Sequence, residues 1–192
     1  QMNFSSTREK NVKLLSFEGE KAKENWEEFN GSVTLEKEGG IKNKPCLKMG
    51  ENSAIALNID GMKFPIQITI KSDHIVTDNM KLIDYLNWSE NNESIGIAKI
   101  NEPSRQSFLK GENGTRFSAM IGSWVTRIFV IYEDRIENFR SNRLVSCQKF
   151  LDKPKGKLFL YSLEGLYLDN VKIEEINSFT SKSYLEQSEM YN

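Results

Sequence analysis

The 192-residue sequence predicts an all-β domain, a two-sheet antiparallel β-sandwich with at most one or two short helices. Three observations carry that expectation. Apolar residues recur with period two, most clearly where Ile66, Ile68 and Ile70 alternate with Gln67, Thr69 and Lys71, the pattern of a strand with one buried and one wet face. Short apolar runs are punctuated by turn clusters such as Glu38-Gly39-Gly40, Asp60-Gly61, Glu90-Asn91-Asn92-Glu93 and Gly111-Glu112-Asn113-Gly114. The most apolar stretch, Ser123 to Tyr132, is rich in β-branched and aromatic residues, which favour a buried strand over a helix.

Taken in order, Leu14-Leu15-Ser16-Phe17-Glu18-Gly19 is the first expected strand. Glu20 to Phe29 is charged and short, so it predicts one helical turn at most, with Trp26 packing over an end of the sandwich. Alternation then places Val33 with Leu35, Ile55 with Leu57 and Ile59, and Met80 with Leu82, Leu86 and Trp88 on common faces, and Pro45 to Met49 reads as another strand. Phe117, Ala119 and Ile121 form the next alternating set. After the stretch ending at Tyr132, Glu133-Asp134 makes a turn, and Arg135–Phe139 and Arg143–Cys147 flank a hairpin turn at Arg140-Ser141-Asn142. Pro154-Lys155-Gly156 precedes Lys157 to Tyr161, and Tyr167 to Ile173 is the last strand. This places one sandwich domain over residues 12–176, between an extension (1–11) and a tail (177–192) that lacks a sustained apolar stripe.

Lys and Arg (26) nearly cancel Asp and Glu (27), so no global field favours nucleic acid as a partner. No apolar run approaches the roughly 20 residues that span a bilayer, and Gln1 to Ser6 lack the apolar core of a signal peptide. Cys46 and Cys147 both fall in strand-like segments and read as buried thiols, with one disulfide as the alternative. His74, the only histidine, reads as a surface-loop residue and excludes a multi-histidine metal centre. The sequence contains no phosphate-binding loop and no dinucleotide fingerprint.

Phe17-Glu18-Gly19 and Leu168-Asp169-Asn170-Val171 resemble the paired terminal signatures of bacterial jelly-roll domains. Trp124, Phe129-Val130-Ile131-Tyr132, Asp134-Arg135-Ile136 and Ser141-Asn142-Arg143-Leu144-Val145 resemble the laminin G-like pattern of tryptophan, apolar strand, tight turn and hairpin. Together, over about residues 12–176, these segments resemble the concanavalin A-like lectin and glucanase superfamily. Galactose-binding-like carbohydrate modules share the opening and closing signatures and offer the alternative jelly-roll topology.

The resemblance implies an extracytoplasmic bacterial domain that binds a carbohydrate or cell-surface glycan. It also implies a structural calcium near the chain ends, for which Glu18 and Asp169 are the matching carboxylates. Glucanases of the group carry acidic residues on alternate positions of one strand; this sequence has no such strand, and Glu18-Gly19-Glu20 lacks the central aspartate. The expectation is therefore a noncatalytic module, with a glycan-active hydrolase or a structural or sensory ectodomain as alternatives. Sugar binding by a sandwich calls for exposed aromatic platforms beside polar groups. Trp88, which ends a strand and enters Ser89-Glu90-Asn91-Asn92, is the leading candidate with Tyr85 nearby, whereas Trp124 is expected in the core.

Overall fold

Ile66, Ile68 and Ile70 do lie side by side on the inner face of a central strand, fully buried. The computed structural model describes residues 10–74, 84–89, 114–117, 124–140, 143–150, 156–162 and 164–177. They form β1 (Val12–Leu15), β2 (Trp26–Asn30), β3 (Val33–Glu36), β4 (Cys46–Met49), β5 (Ser53–Leu57), β6 (Ile66–His74), β7 (Asp84–Ser89), β8 (Gly114–Phe117), β9 (Val125–Ile131), β10 (Arg135–Arg140), β11 (Arg143–Lys149), β12 (Lys157–Ser162) and β13 (Leu166–Glu175). One sheet runs β11-β10-β9-β6-β13-β4-β3, with β1 also paired to β13, and the other runs β2-β5-β12-β7-β8. Every described pairing is antiparallel. The chain is thus an all-β sandwich.

The core lies between the sheets. Ile66, Ile68, Ile70, Phe129, Ile131, Val171 and Ile173 from the larger sheet share one apolar cluster with Ile55, Leu57, Leu86, Leu158 and Leu160 from the smaller. Each such side chain contributes about 1.5–3 kcal/mol when fully withdrawn from water.

The last strand has an irregularity that matters for the chain ends. Leu168 pairs with Ser72 and Asn170 with Lys71, so Asp169 is an extra residue, a β-bulge. The bulge switches the parity of the strand, and Leu166 and Leu168 before it and Val171 and Ile173 after it are all buried. On the edge of β13 away from β6, the first part pairs with β4 and the later part with β1. Asp169 therefore sits where these two partners meet.

Several expectations are corrected. Glu20 to Phe29 does contain a single helical turn, a 3-10 turn at Gly19–Lys21, but it continues into strand β2. That strand was hidden because Phe29 is itself a bulge, between Glu28 opposite Ile55 and Asn30 opposite Ala54, which breaks the alternation. The first strand ends at Leu15, and Phe17 is buried beyond it. β5 stops at Leu57, leaving Ile59 in the following turn, partly buried against the core. β6 runs through to His74, whose backbone pairs with Leu166, so this residue belongs to a strand and not a loop. Trp124 precedes β9 and is only half-buried. Cys46 and Cys147 are separate thiols: Cys46 is buried, but Cys147 is exposed because β11 is an edge strand.

Other expectations fall elsewhere. Met80, Leu82, Ala119 and Ile121, the turns at Glu90–Glu93 and Gly111–Asn113, and the tail from Ser178 lie outside the described residues. Among the described residues, no helix is long and apolar enough to cross a membrane.

Candidate functional site

At the end of the smaller sheet where β2 starts, β5 stops and β12 starts, the surface opens into a cleft of about 390 Å³. Asn25 to Glu27, Ala56 to Asp60 and Gly156 to Leu158 line it. Pockets of about 300–1,000 Å³ are the usual size for small-ligand sites.

The floor is Trp26. Its indole N–H donates to the Ala22 carbonyl at 2.9 Å, and its ring meets Phe17 edge-on with centroids 6.2 Å apart. Only 6% of the residue is exposed, so Trp26 shapes the cleft without offering a stacking face. Asn25 turns the chain into the strand with φ +67°, its Nδ2 donating to the Leu14 carbonyl at 3.0 Å while its own carbonyl accepts the Asn58 N–H at 2.9 Å. Asparagine tolerates this left-handed geometry better than most residues.

The walls are polar. On one side the Lys157 ammonium is bonded to the Glu27 carboxylate, both side chains being mostly solvent-exposed. An exposed pair of this kind contributes little to stability, roughly 0–1 kcal/mol, and it holds the two groups at the rim. On the other side, Asn58 Oδ1 accepts the Asp60 N–H at 3.0 Å, an Asx turn. The same oxygen accepts from Lys13 Nζ at 3.2 Å, and that ammonium also donates to the Asp60 carbonyl at 2.9 Å. Lys13 thus ties the turn to β1 across the strand ends. The Asn58 amide N–H₂, the Asn25 amide oxygen and the Asp60 carboxylate carry no further bond among the described residues.

Trp88 and Tyr85, the aromatic residues expected to bind sugar, lie on β7, next to β12. The backbone register places Trp88 opposite Leu158, which lines the cleft, and Tyr85 opposite Tyr161, three positions further along. Their side chains lie outside what is described. No local pattern in the sequence marks Asn25, Glu27, Asn58, Asp60 or Lys157 as a site; Asp60-Gly61 and Pro154-Lys155-Gly156 read only as turns.

Glu18 and Asp169, the pair expected to hold calcium, have different settings. Glu18 is exposed, and its N–H donates to Ser16 Oγ at 3.4 Å. Asp169 is half-buried, and its Oδ2 accepts the Ile41 N–H at 2.5 Å. That bond pins the β3–β4 connection. The loop closes on itself through Gly40 N–H to the Lys44 carbonyl (2.8 Å) and Asn43 N–H to the Gly40 carbonyl (3.1 Å), with Lys42 and Asn43 both left-handed. A Cβ on Gly40 would stand 2.6 Å from the Lys44 carbonyl oxygen and 3.0 Å from Asp169 Oδ2, which explains the glycine. Beneath lies Cys46, whose thiol is pushed up to about 11 by burial and then by the charges of Asp169 and Glu36. Among the described residues no hydrogen bond joins Glu18 to Asp169, and no group of three or more His, Cys, Asp or Glu side chains is gathered that could hold a metal ion. The two carboxylates alone do not make the six-to-eight-oxygen shell that calcium takes.

No family model matches the sequence, and no curated protein matches it. Solved structures resemble it to differing degrees. A sialidase matches 88% of this chain with a TM-score of 0.53 and 9% identity, and the chain spans 18% of that protein's length. The carbohydrate-binding module CBM66 from Bacillus subtilis matches 79% of this chain and 92% of its own, with a TM-score of 0.44 and 9% identity. Domain 4 of AbnA, a GH43 extracellular arabinanase from Geobacillus stearothermophilus in complex with arabinotriose, matches 86% of this chain and 82% of its own, with a TM-score of 0.42 and 8% identity. At 9% identity, the likeness to the sialidase shows a common fold.

Proposed function

We propose that this chain is a noncatalytic carbohydrate-binding domain of an extracytoplasmic bacterial protein, and that a saccharide sits in the cleft between the ends of β2, β5 and β12. The observation that carries this reading is the arrangement of the walls: amide donors and acceptors and a carboxylate, held by main-chain and lysine bonds, converge on one open cavity above a buried tryptophan. Sugar hydroxyls donate and accept at once, so alternating groups of this kind suit them. The fold match to part of a protein named as a sialidase is in keeping with the reading. Trp88 and Tyr85 stay candidate contacts, since β7 runs beside the strand that supplies Lys157 and Leu158.

A glycan array probed with the full chain tests the proposal, followed by titration of the best ligand against Trp88→Ala and Glu27→Gln. Binding by the parent protein and a severalfold loss in at least one variant is the expected result. Absence of binding to every glycan by folded protein would remove the proposal.

A structural calcium on Glu18 and Asp169 is a separate proposal. Its support is the position of Asp169 at the junction of β1 and β4 on β13, with Oδ1 carrying no bond among the described residues. A ligand bound only by the folded state must raise apparent stability. Calcium should therefore raise the melting temperature relative to a chelator, and equal melting curves would dismiss it.

A further inference from the structure

The charges around the cleft narrow the ligand class, an inference that rests on the glycan-binding reading. Among the described residues, two carboxylates, Glu27 and Asp60, line the cleft against one ammonium, Lys157. Lys157 is already bonded to Glu27, so its charge is matched within the wall. The next cation, Lys13, is committed to the Asn58 side chain and the Asp60 main chain. The Asp60 carboxylate has no ion pair among the described residues. Among the described residues, an anionic sugar would therefore bring its carboxylate toward like charge, with no uncommitted lining ammonium to receive it.

The apolar side of the cleft points the same way. With Trp26 almost wholly buried, a sugar ring cannot gain by stacking on it, and the polar groups of the lining are left to orient the ligand. The Asp60 carboxylate only accepts, and the Asn58 amide nitrogen only donates. A pair of adjacent hydroxyls satisfies both at once, one donating to Asp60 and the other accepting from Asn58. Discrimination of this kind comes from the repulsive element as much as from the attractive one.

We propose that the cleft takes a neutral saccharide unit, bound through hydroxyls between Asp60 and Asn58, and rejects uronic and sialic acids. The test is calorimetric titration of the full chain with neutral oligosaccharides (maltotriose, mannotriose, arabinotriose, lactose) and with acidic ones (trigalacturonate, 3′-sialyllactose), at low and high salt. At least one neutral probe should bind, with every acidic probe at least tenfold weaker at low salt. Asp60→Asn should shrink that gap, and added salt should shrink it too. An acidic probe that binds as tightly as the best neutral one would overturn the inference and leave glycan binding standing. A gap unmoved by Asp60→Asn in folded protein would overturn the assignment to this cleft. Silence from every probe would overturn it together with the reading beneath it.

Discussion

Two loops in this sandwich are each tied down by one charged side chain, and they are tied in opposite ways. At the β3–β4 connection, Asp169 reaches a main-chain N–H from a half-buried position, and the loop beneath it is closed by its own main-chain bonds. After β5, Lys13 reaches an amide oxygen and a carbonyl at the surface, and the turn keeps its remaining side-chain groups facing the cleft. The first tether joins a loop already closed by its own main-chain bonds and covers a cysteine. The second fixes the main chain and leaves side chains available. A tether of the first kind makes structure; one of the second kind leaves polar side chains on the cleft in which the proposed saccharide would sit.

The sharpest way to test the first half of the comparison is through Cys46. It is fully buried under Gly39, and a thiol with a pKa of about 11 is overwhelmingly protonated near neutrality; the Cys147 thiol is also pushed up, by partial burial and then by the Glu137 charge, but it is exposed on an edge strand where a reagent can reach it. The thiolate is the nucleophile, so alkylation of native protein at pH 8 should label Cys147 and leave Cys46 slower by about a hundredfold or more. Mass spectrometry after timed quenching reads both rates. Comparable rates would mean that the loop does not close over Cys46.

Asp169→Ala comes next in size. Hydrogen bonds to charged groups contribute about 1.5–3 kcal/mol, so urea denaturation should show a loss of about 2 kcal/mol, and Cys46 labelling should accelerate. Asp169→Asn separates two roles, because an amide oxygen still accepts from Ile41 but is a poor substitute for a carboxylate at calcium. If the anchor is the whole role, Asn recovers most of the loss. If Asn is as damaging as Ala, the charge itself matters, and calcium dependence should appear in the parent protein.

The difference between the loops also explains what could be read in the sequence. β6, β9 and β12 were legible because each carries a continuous apolar set, as in Ile66, Ile68 and Ile70 or Leu158 and Leu160. β2 was not, since its outward positions are charged and the Phe29 bulge breaks the period. The bulge in β13 does leave a trace, the shift from Leu166 and Leu168 to Val171 and Ile173, but a trace of irregularity does not say what the extra residue holds. Asp169 was found by its place in a terminal signature, and its partner, Ile41, lies 128 positions away. The cleft left still less sign: Asn25, Asn58 and Lys157 come from three separated segments, and the Lys13 tether spans 45 residues with no local pattern. Alternation reports which face of a strand is dry; it does not report which strand ends meet.

Lys13→Met is the smallest perturbation and the most informative about the second loop. Methionine keeps much of the apolar stem and removes the ammonium, so both bonds to the Asn58–Asp60 turn are lost while β1 can still pair with β13. Because the ammonium is near the surface, the stability cost should stay below about 1 kcal/mol. Glycan affinity should fall severalfold, since the turn that presents Asp60 and Asn58 is then less well ordered before binding. Removing this positive charge, bonded to the Asp60 main-chain carbonyl, should also widen the preference for neutral over acidic sugars. Stability and affinity falling together by the same large amount would make Lys13 a structural tether like Asp169 and erase the contrast. A small loss of stability with a clear loss of affinity would preserve it, and would place the ordering of the cleft in the hands of a residue on β1.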